Sequence, residues 1–137
     1  MKYKFWSLFC ILIMSCKSQN ISEQELANNQ EETFIHFFKI QSYCSCLKNS
    51  YSNKNIFSLI EQEDLLGSYD ALADPEILKK IDSLGKIFSL KVKPEEYPDF
   101  KGKKRITQYC LSFYTSQELD KIAKEEFRLH VKKQKFK

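Results

Sequence analysis

The feature that most constrains this fold is the position of its glycine and proline residues. All six of them lie between Gly67 and Gly102. Long stretches on either side therefore have no residue of the kind that ends a helix or makes a tight turn. A β-sandwich or barrel needs turn residues about every 8 to 12 positions. The distribution disfavours an all-β fold.

Length and charge narrow the function. A chain of 137 residues suits one compact domain. Its formal charge of +4 is spread along the chain, which argues against a nucleic-acid-binding protein with a concentrated basic face. With two histidines and no glycine-rich phosphate loop, the chain is a poor match to most cofactor enzymes. We expect no cofactor, no metal and no nucleic-acid partner.

The first 15 residues have the pattern of a bacterial lipoprotein signal peptide. Two lysines precede an apolar run from Phe5 to Met14, about half the length of a membrane-spanning helix. The run ends in IMSC at residues 13–16, which resembles a lipobox whose cysteine becomes acylated. The alternative is an ordinary secretion signal with an incidental cysteine. We expect a mature chain that faces the periplasm and is anchored to a bacterial membrane by lipid on Cys16.

Residues 16–30 are polar, and Ile21 and Leu26 are their only large apolar side chains. We predict that they form a flexible tether between the lipid and a domain at residues 31–137. The alternative is that this segment extends the first helix of the domain.

Apolar residues recur at helical spacing through the domain and predict an all-α bundle of about five helices. The first two helices are expected at residues 31–51 and 56–72. Asp74 and Pro75 have the residue types that begin a helix, and they predict the third. The fourth apolar stripe covers residues 103–113. A capping box with Thr115 or Ser116 as the cap and Glu118 reaching back predicts the start of the last helix.

The segment from Leu90 to Lys104 is the one long irregular stretch that we predict. It contains two of the three prolines and Gly102, and its charges alternate around Tyr97 and Phe100. Loops of this length in small domains are usually functional or disordered.

Four cysteines remain after export: Cys16, Cys44, Cys46 and Cys110. If Cys16 is acylated, only one disulfide can form, in a compartment where disulfides persist. A bond from the first helix to Cys110 closes a loop of roughly 65 residues, worth on the order of 4 kcal/mol in the chain-entropy model. Periodicity leaves open whether Cys44 or Cys46 is the partner. A Cys-x-Cys metal or redox site is the alternative, but it lacks a nearby histidine.

No catalytic constellation is evident. A cysteine nucleophile would need His36 or His130 as its base. The acidic stretch at residues 61–76 could supply a carboxylate pair for glycoside chemistry, a surface for a basic partner, or a solvated face. We expect a protein that is not an enzyme.

Two stretches carry a resemblance to a known family. Residues 46–51 read CLKNSY, a cysteine followed after four residues by a tyrosine. Glu96-Tyr97 and Gly102 then precede YCLSFYTSQEL at residues 109–119. In this order the motifs resemble those of the type VI secretion amidase immunity proteins, which have a glycine-containing loop, Cys-Leu, a tyrosine, and Ser-x-Glu-Leu opening the last helix.

The resemblance implies a small, helical, exported protein that protects a bacterium from an injected peptidoglycan amidase. It implies a homodimer in which a helix of one subunit and a protruding loop of the other occlude the amidase cleft. It also aligns Cys46 and Cys110 with the two half-cystines of the family, which leaves Cys44 as an additional thiol.

We therefore expect a lipid-anchored immunity protein that inhibits a cysteine–histidine peptidoglycan amidase. The loop at residues 91–103 is the candidate plug, with Tyr97 and Phe100 as aromatic anchors. The alternatives are a plain solvent loop with its aromatic residues packed on the core and, for the whole protein, a non-enzymatic structural or assembly lipoprotein. The candidate partner-binding residues are Lys93, Glu95, Glu96, Tyr97, Asp99, Phe100 and Lys101.

Overall fold

The computed structural model describes residues 23–64 and 72–135, and within these ranges the chain forms five α-helices. A single turn of 3-10 helix, Pro98–Phe100, lies between the third and fourth. The all-α prediction is confirmed. The predicted signal peptide and Cys16 lie outside the described residues. The helices are α1 (Glu23–Ser50), α2 (Asn55–Glu63), α3 (Pro75–Ser89), α4 (Ile106–Tyr114) and α5 (Gln117–Gln134).

Helix α1 is the centre of the bundle and packs against α3, α4 and α5. Five of its buried side chains recur every four residues, so they form one stripe along the helix. The N-terminal part of the stripe is aromatic: Phe34 and Phe38 are fully buried, and the centres of their stacked rings lie 6.1 Å apart. The C-terminal part of the stripe consists of small side chains, which allow neighbouring helices to approach closely. The stripe contains Phe34, Phe38, Ser42, Cys46 and Ser50.

The close approach is tightest where α3 crosses α1. A Cβ atom built on Gly85 would lie only 2.7 Å from the carbonyl carbon of Ser45. Backbone atoms cannot move aside as a flexible side chain can, so this crossing requires glycine. Helix α3 contributes Ile77, Ile81 and Leu84 to the core, where all three are buried.

Helix α5 is fixed to α1 by both apolar and charged contacts. The rings of Phe34 and Phe127 lie 5.4 Å apart. Lys39 Nζ donates to Asp120 Oδ1 over 2.5 Å, and this hydrogen bond lowers the pKa of the Asp120 carboxyl. The contact joins the middle of α1 to the first turn of α5.

Two predicted helix boundaries are wrong. Helix α1 begins at Glu23 instead of residue 31, so residues 23–30 of the predicted tether are helical. This is the alternative that the sequence left open. Helix α2 ends at Glu63 instead of residue 72, because the chain becomes extended at Asp64. Residues 65–71 lie outside the described part of the chain.

The two predicted caps are formed. Asp74 accepts a hydrogen bond from the Glu76 backbone N–H over 2.8 Å, and Pro75 is the first residue of α3. Ser116, not Thr115, caps α5 by accepting from the Leu119 N–H over 3.1 Å. The third helical position is therefore Leu119, and the expectation that Glu118 completes a capping box is wrong.

The disulfide joins Cys46 of α1 to Cys110 of α4, with the two Cα atoms 5.7 Å apart. Both cysteines are completely buried. The pairing implied by the family resemblance is confirmed, and Cys44 is a free, half-buried thiol. The disulfide ties the central helix to the helix that follows the long loop.

Candidate functional site

The segment that connects α3 to α4 is attached firmly at its start. Beyond the end of α3, the Lys91 N–H donates to Phe88 O over 3.0 Å and the Val92 N–H donates to Ser89 O over 3.1 Å. The side chain of Val92 is only 5% exposed, so it anchors the loop to the core. The Lys91 amine lies 3.9 Å from the centre of the Phe88 ring, where the cation and the π face attract each other.

Beyond Val92 the loop folds back on itself. An isolated antiparallel bridge pairs Pro94 with Lys104, and the Glu95 N–H donates to Lys103 O over 2.8 Å. Arg105 Nε donates to Glu95 Oε1 beside this bridge. We call residues 91–95 and 101–105 the legs of the loop, and residues 96–100 between them its tip.

The tip is a compact turn. The Phe100 N–H donates to Tyr97 O over 2.9 Å, and the Lys103 N–H donates to Phe100 O over 2.8 Å. Gly102 closes the turn with a φ of 81°, in the left-handed region where a side chain would be strained. The backbone of the loop is therefore defined by its own hydrogen bonds.

Two aromatic side chains project from the tip into solvent. Tyr97 is 66% exposed and Phe100 is 49% exposed. The Lys103 amine lies 5.9 Å from the centre of the Phe100 ring. Neither aromatic residue is packed on the core, which was the alternative for this loop. Both aromatic side chains are therefore accessible to a binding partner.

The charged residues of the candidate site divide into two kinds. Lys93, Glu96, Asp99 and Lys101 are exposed. Glu95 is partly buried, and its carboxylate is held by Arg105, so it supports the loop instead of presenting a free charge. The sequence reasoning missed Arg105, because a pairing across ten residues of loop has no periodic signal. Beside this ion pair, a depression of about 320 Å³ is lined by Glu95, Phe100, Lys103, Lys104 and Arg105.

The surroundings of Cys44 differ from those of an activated nucleophile. The thiol lies in a cleft of about 230 Å³ between α1, α2 and α3. Burial first, and then the negative charge of Asp64, raise the pKa of the Cys44 thiol. A reactive cysteine has a lowered pKa instead. The lining residues are Gln41, Ser45, Lys48, Phe57, Glu61, Leu78, Ile81 and Asp82.

Neither histidine lines this cleft. His36 is exposed, and its ring contacts the edge of Phe37. His130 stacks on Phe34 with the ring centres 5.6 Å apart, and its Nε2 atom is hydrogen-bonded to Gln134. The structure therefore does not bring either histidine and Cys44 together as a catalytic pair.

Three residues of the acidic stretch, Glu61, Asp74 and Glu76, make structural contacts. Glu61 pairs with Lys48 over 2.9 Å, which joins α2 to α1, and Glu76 pairs with Lys133. Asp74 caps α3, and the hydrogen bond that it accepts from the Glu76 N–H lowers the pKa of the Asp74 carboxyl. Among the residues that the structure describes, no three His, Cys, Asp or Glu side chains are placed to hold a metal ion.

In residues 23–64 and 72–135, no helix has both the length and the apolar composition that crossing a bilayer requires.

None of the family models, curated proteins and solved structures compared with this chain matches it.

Proposed function

We propose that this chain is a lipid-anchored immunity protein of the periplasm that inhibits a peptidoglycan amidase by inserting the loop at residues 91–103 into the active-site cleft. The observation that supports the proposal best is the loop itself. It is a hydrogen-bonded projection that presents Tyr97 and Phe100 to solvent on a disulfide-bonded helical scaffold. The motif resemblance to the amidase immunity proteins supplies the class of partner.

An inhibitor of this kind needs a defined shape and requires no chemistry of its own. Ordering a loop on binding costs affinity, so a loop that is already folded binds more tightly than a flexible one. Here the bridge between Pro94 and Lys104, the pairing of Glu95 with Arg105 and the buried Val92 side chain provide that order. Exposed aromatic residues are the side chains that most often dominate binding energy at protein interfaces.

Removing the aromatic side chains of the tip is expected to abolish most of the inhibition. We expect Tyr97→Ala and Phe100→Ala each to raise the inhibition constant by about 30-fold or more, which corresponds to about 2 kcal/mol per anchor. The assay measures hydrolysis of purified peptidoglycan by a cysteine–histidine amidase that the protein captures from periplasmic extract. Leu129→Ala is the matched control, since Leu129 is a comparably exposed apolar residue on α5.

Two outcomes would contradict the proposal. One is that a molar excess of the unaltered protein leaves amidase activity undiminished, or that capture recovers no cell-wall hydrolase. The other is that the Leu129 variant loses as much inhibition as the tip variants. A non-enzymatic structural lipoprotein is expected to give the first outcome.

Replacing Cys16 is expected to release the protein from the membrane. In the full chain, Cys16→Ser removes the thiol that the acyl chains would modify, so most of the protein should move to the soluble fraction. Cell fractionation and intact-mass measurement check this, because the unaltered protein should carry the added mass of lipid. Cys10→Ser lies within the predicted signal peptide and should leave membrane association unchanged. Equal membrane association of all three proteins would refute lipidation at Cys16.

The proposal includes the homodimer that the resemblance implies, in which a helix of one subunit and the loop of the other face the same cleft. Light scattering on the captured complex is expected to show two copies of this chain. A single copy with full inhibition would remove the dimer from the proposal and leave the role of the loop intact.

A further inference from the structure

We infer that the loop is a plug with two signs of charge, whose acidic and aromatic tip occupies the cationic subsite that holds the carboxylates of the peptidoglycan stem peptide. This inference rests on the proposed function and specifies which part of the amidase the tip contacts.

Charge is strongly segregated along the loop. The tip, EYPDF at residues 96–100, contains two carboxylates and no cation. The legs contain six lysine and arginine residues and one carboxylate. That carboxylate belongs to Glu95 and is already paired with Arg105. The free charge of the tip is thus negative and that of the legs is positive.

The fold maintains this separation. The Pro94–Lys104 bridge pairs the two legs, which carry the cations, and the tip with its two carboxylates lies beyond this bridge. The Lys103 amine faces the Phe100 ring. Within the described ranges, no cation forms an ion pair with Glu96 or Asp99. Both carboxylates are therefore available to a partner, next to Tyr97 and Phe100.

The chemistry of peptidoglycan indicates which groups should line the cleft of the amidase. The peptide stem of peptidoglycan carries free carboxylates, so an enzyme that binds it needs cationic or hydrogen-bond-donating groups in its cleft. A plug that leaves those groups buried and unpaired would lose affinity, whereas one that supplies carboxylates satisfies them. The tip offers two carboxylates, Glu96 and Asp99, on either side of Tyr97 in the sequence. The cationic legs would face acidic groups at the rim of the amidase cleft.

The test neutralises the tip without changing its shape. We expect the Glu96→Gln and Asp99→Asn double variant to inhibit the captured amidase at least about 10-fold more weakly than the unaltered protein. We also expect its inhibition to depend less on salt concentration, since screening acts on the lost charges. The control is Glu32→Gln with Glu118→Gln, which removes two exposed carboxylates from α1 and α5 and makes the same change in net charge.

A second measurement locates the contact. A soluble stem-peptide fragment of peptidoglycan should compete with the unaltered protein for the amidase, and it should compete more effectively with the double variant. Thermal unfolding of each variant should show an intact bundle, because the Glu96 and Asp99 side chains are exposed and form no ion pair within the described ranges.

The outcomes distinguish failure of the charge inference from failure of the proposed function. If the double variant inhibits as well as the unaltered protein while Tyr97→Ala does not, the charge inference is overturned and the proposed function stands. Equal losses from the tip variant and from the Glu32 and Glu118 control would also overturn it, because net charge alone would then explain the effect. If the unaltered protein inhibits no amidase, both fail together.

Discussion

Cys110→Ser is expected to lower the free energy of unfolding by about 4 kcal/mol. The disulfide links residues separated by 64 positions, so it restricts the unfolded chain strongly, and the chain-entropy model assigns about 4 kcal/mol to a loop of this length. The bond also lies in the core, where both cysteines are completely buried. Urea unfolding of the mature protein at neutral pH measures the change.

Cys44→Ser is the matched control for this prediction. Cys44 is two residues from Cys46 but is free and half-buried, so its replacement should change the free energy of unfolding by much less than loss of the disulfide. A reducing agent should destabilise the unaltered protein and the Cys44 variant, but not the Cys110 variant. Equal stability of the Cys110 variant and the unaltered protein would show that the disulfide has no structural role.

The choice between Cys44 and Cys46 shows what periodicity could not predict. A stripe drawn through the large apolar residues of α1 includes Cys44 and places Cys46 on its flank. The observed stripe includes Cys46 and passes through Ser42 and Ser50, which are buried although they are polar. Small polar side chains face the core because the adjoining helices approach closely there, and hydropathy alone does not detect this. The motif resemblance, which compares positions instead of hydropathy, aligned the correct cysteine.

Structural features that depend on residues close together in the sequence were predicted well. Features that depend on contacts between distant segments were predicted poorly. The start of α3 was predicted because Asp74 and Pro75 act within one helical turn. The start of α1 was not predicted, because residues 24–30 are exposed and have no apolar stripe that would indicate a helix.

The candidate site was predicted from composition but not in its details. Clustered proline and glycine residues marked the loop, since they end helices and permit turns. The exposure of Tyr97 and Phe100 depends on how the legs pair, which no local pattern encodes. The same is true of the Glu95–Arg105 ion pair, which changes Glu95 from a candidate contact into a support of the loop.

The second large effect is expected from Phe38→Ala, which should lower the free energy of unfolding by about 3 to 5 kcal/mol. Phe38 has no exposed surface and stacks on Phe34 in the aromatic part of the buried stripe of α1. Removing its ring forfeits the burial of an aromatic side chain and leaves a cavity that the packed helices can close only in part. Urea unfolding with the disulfide intact measures the loss.

Phe100→Ala is the control for Phe38→Ala, because it makes the same chemical change at a residue that is 49% exposed. Its effect on unfolding should be small, since the ring lies on the tip of the loop and is not part of the buried core. The two variants should therefore affect different properties. Phe38→Ala should lose stability, whereas Phe100→Ala should lose inhibition of the amidase and retain stability. A Phe100 variant that unfolds as easily as the Phe38 variant would mean that the tip belongs to the core, and the loop could not then act as an independent plug.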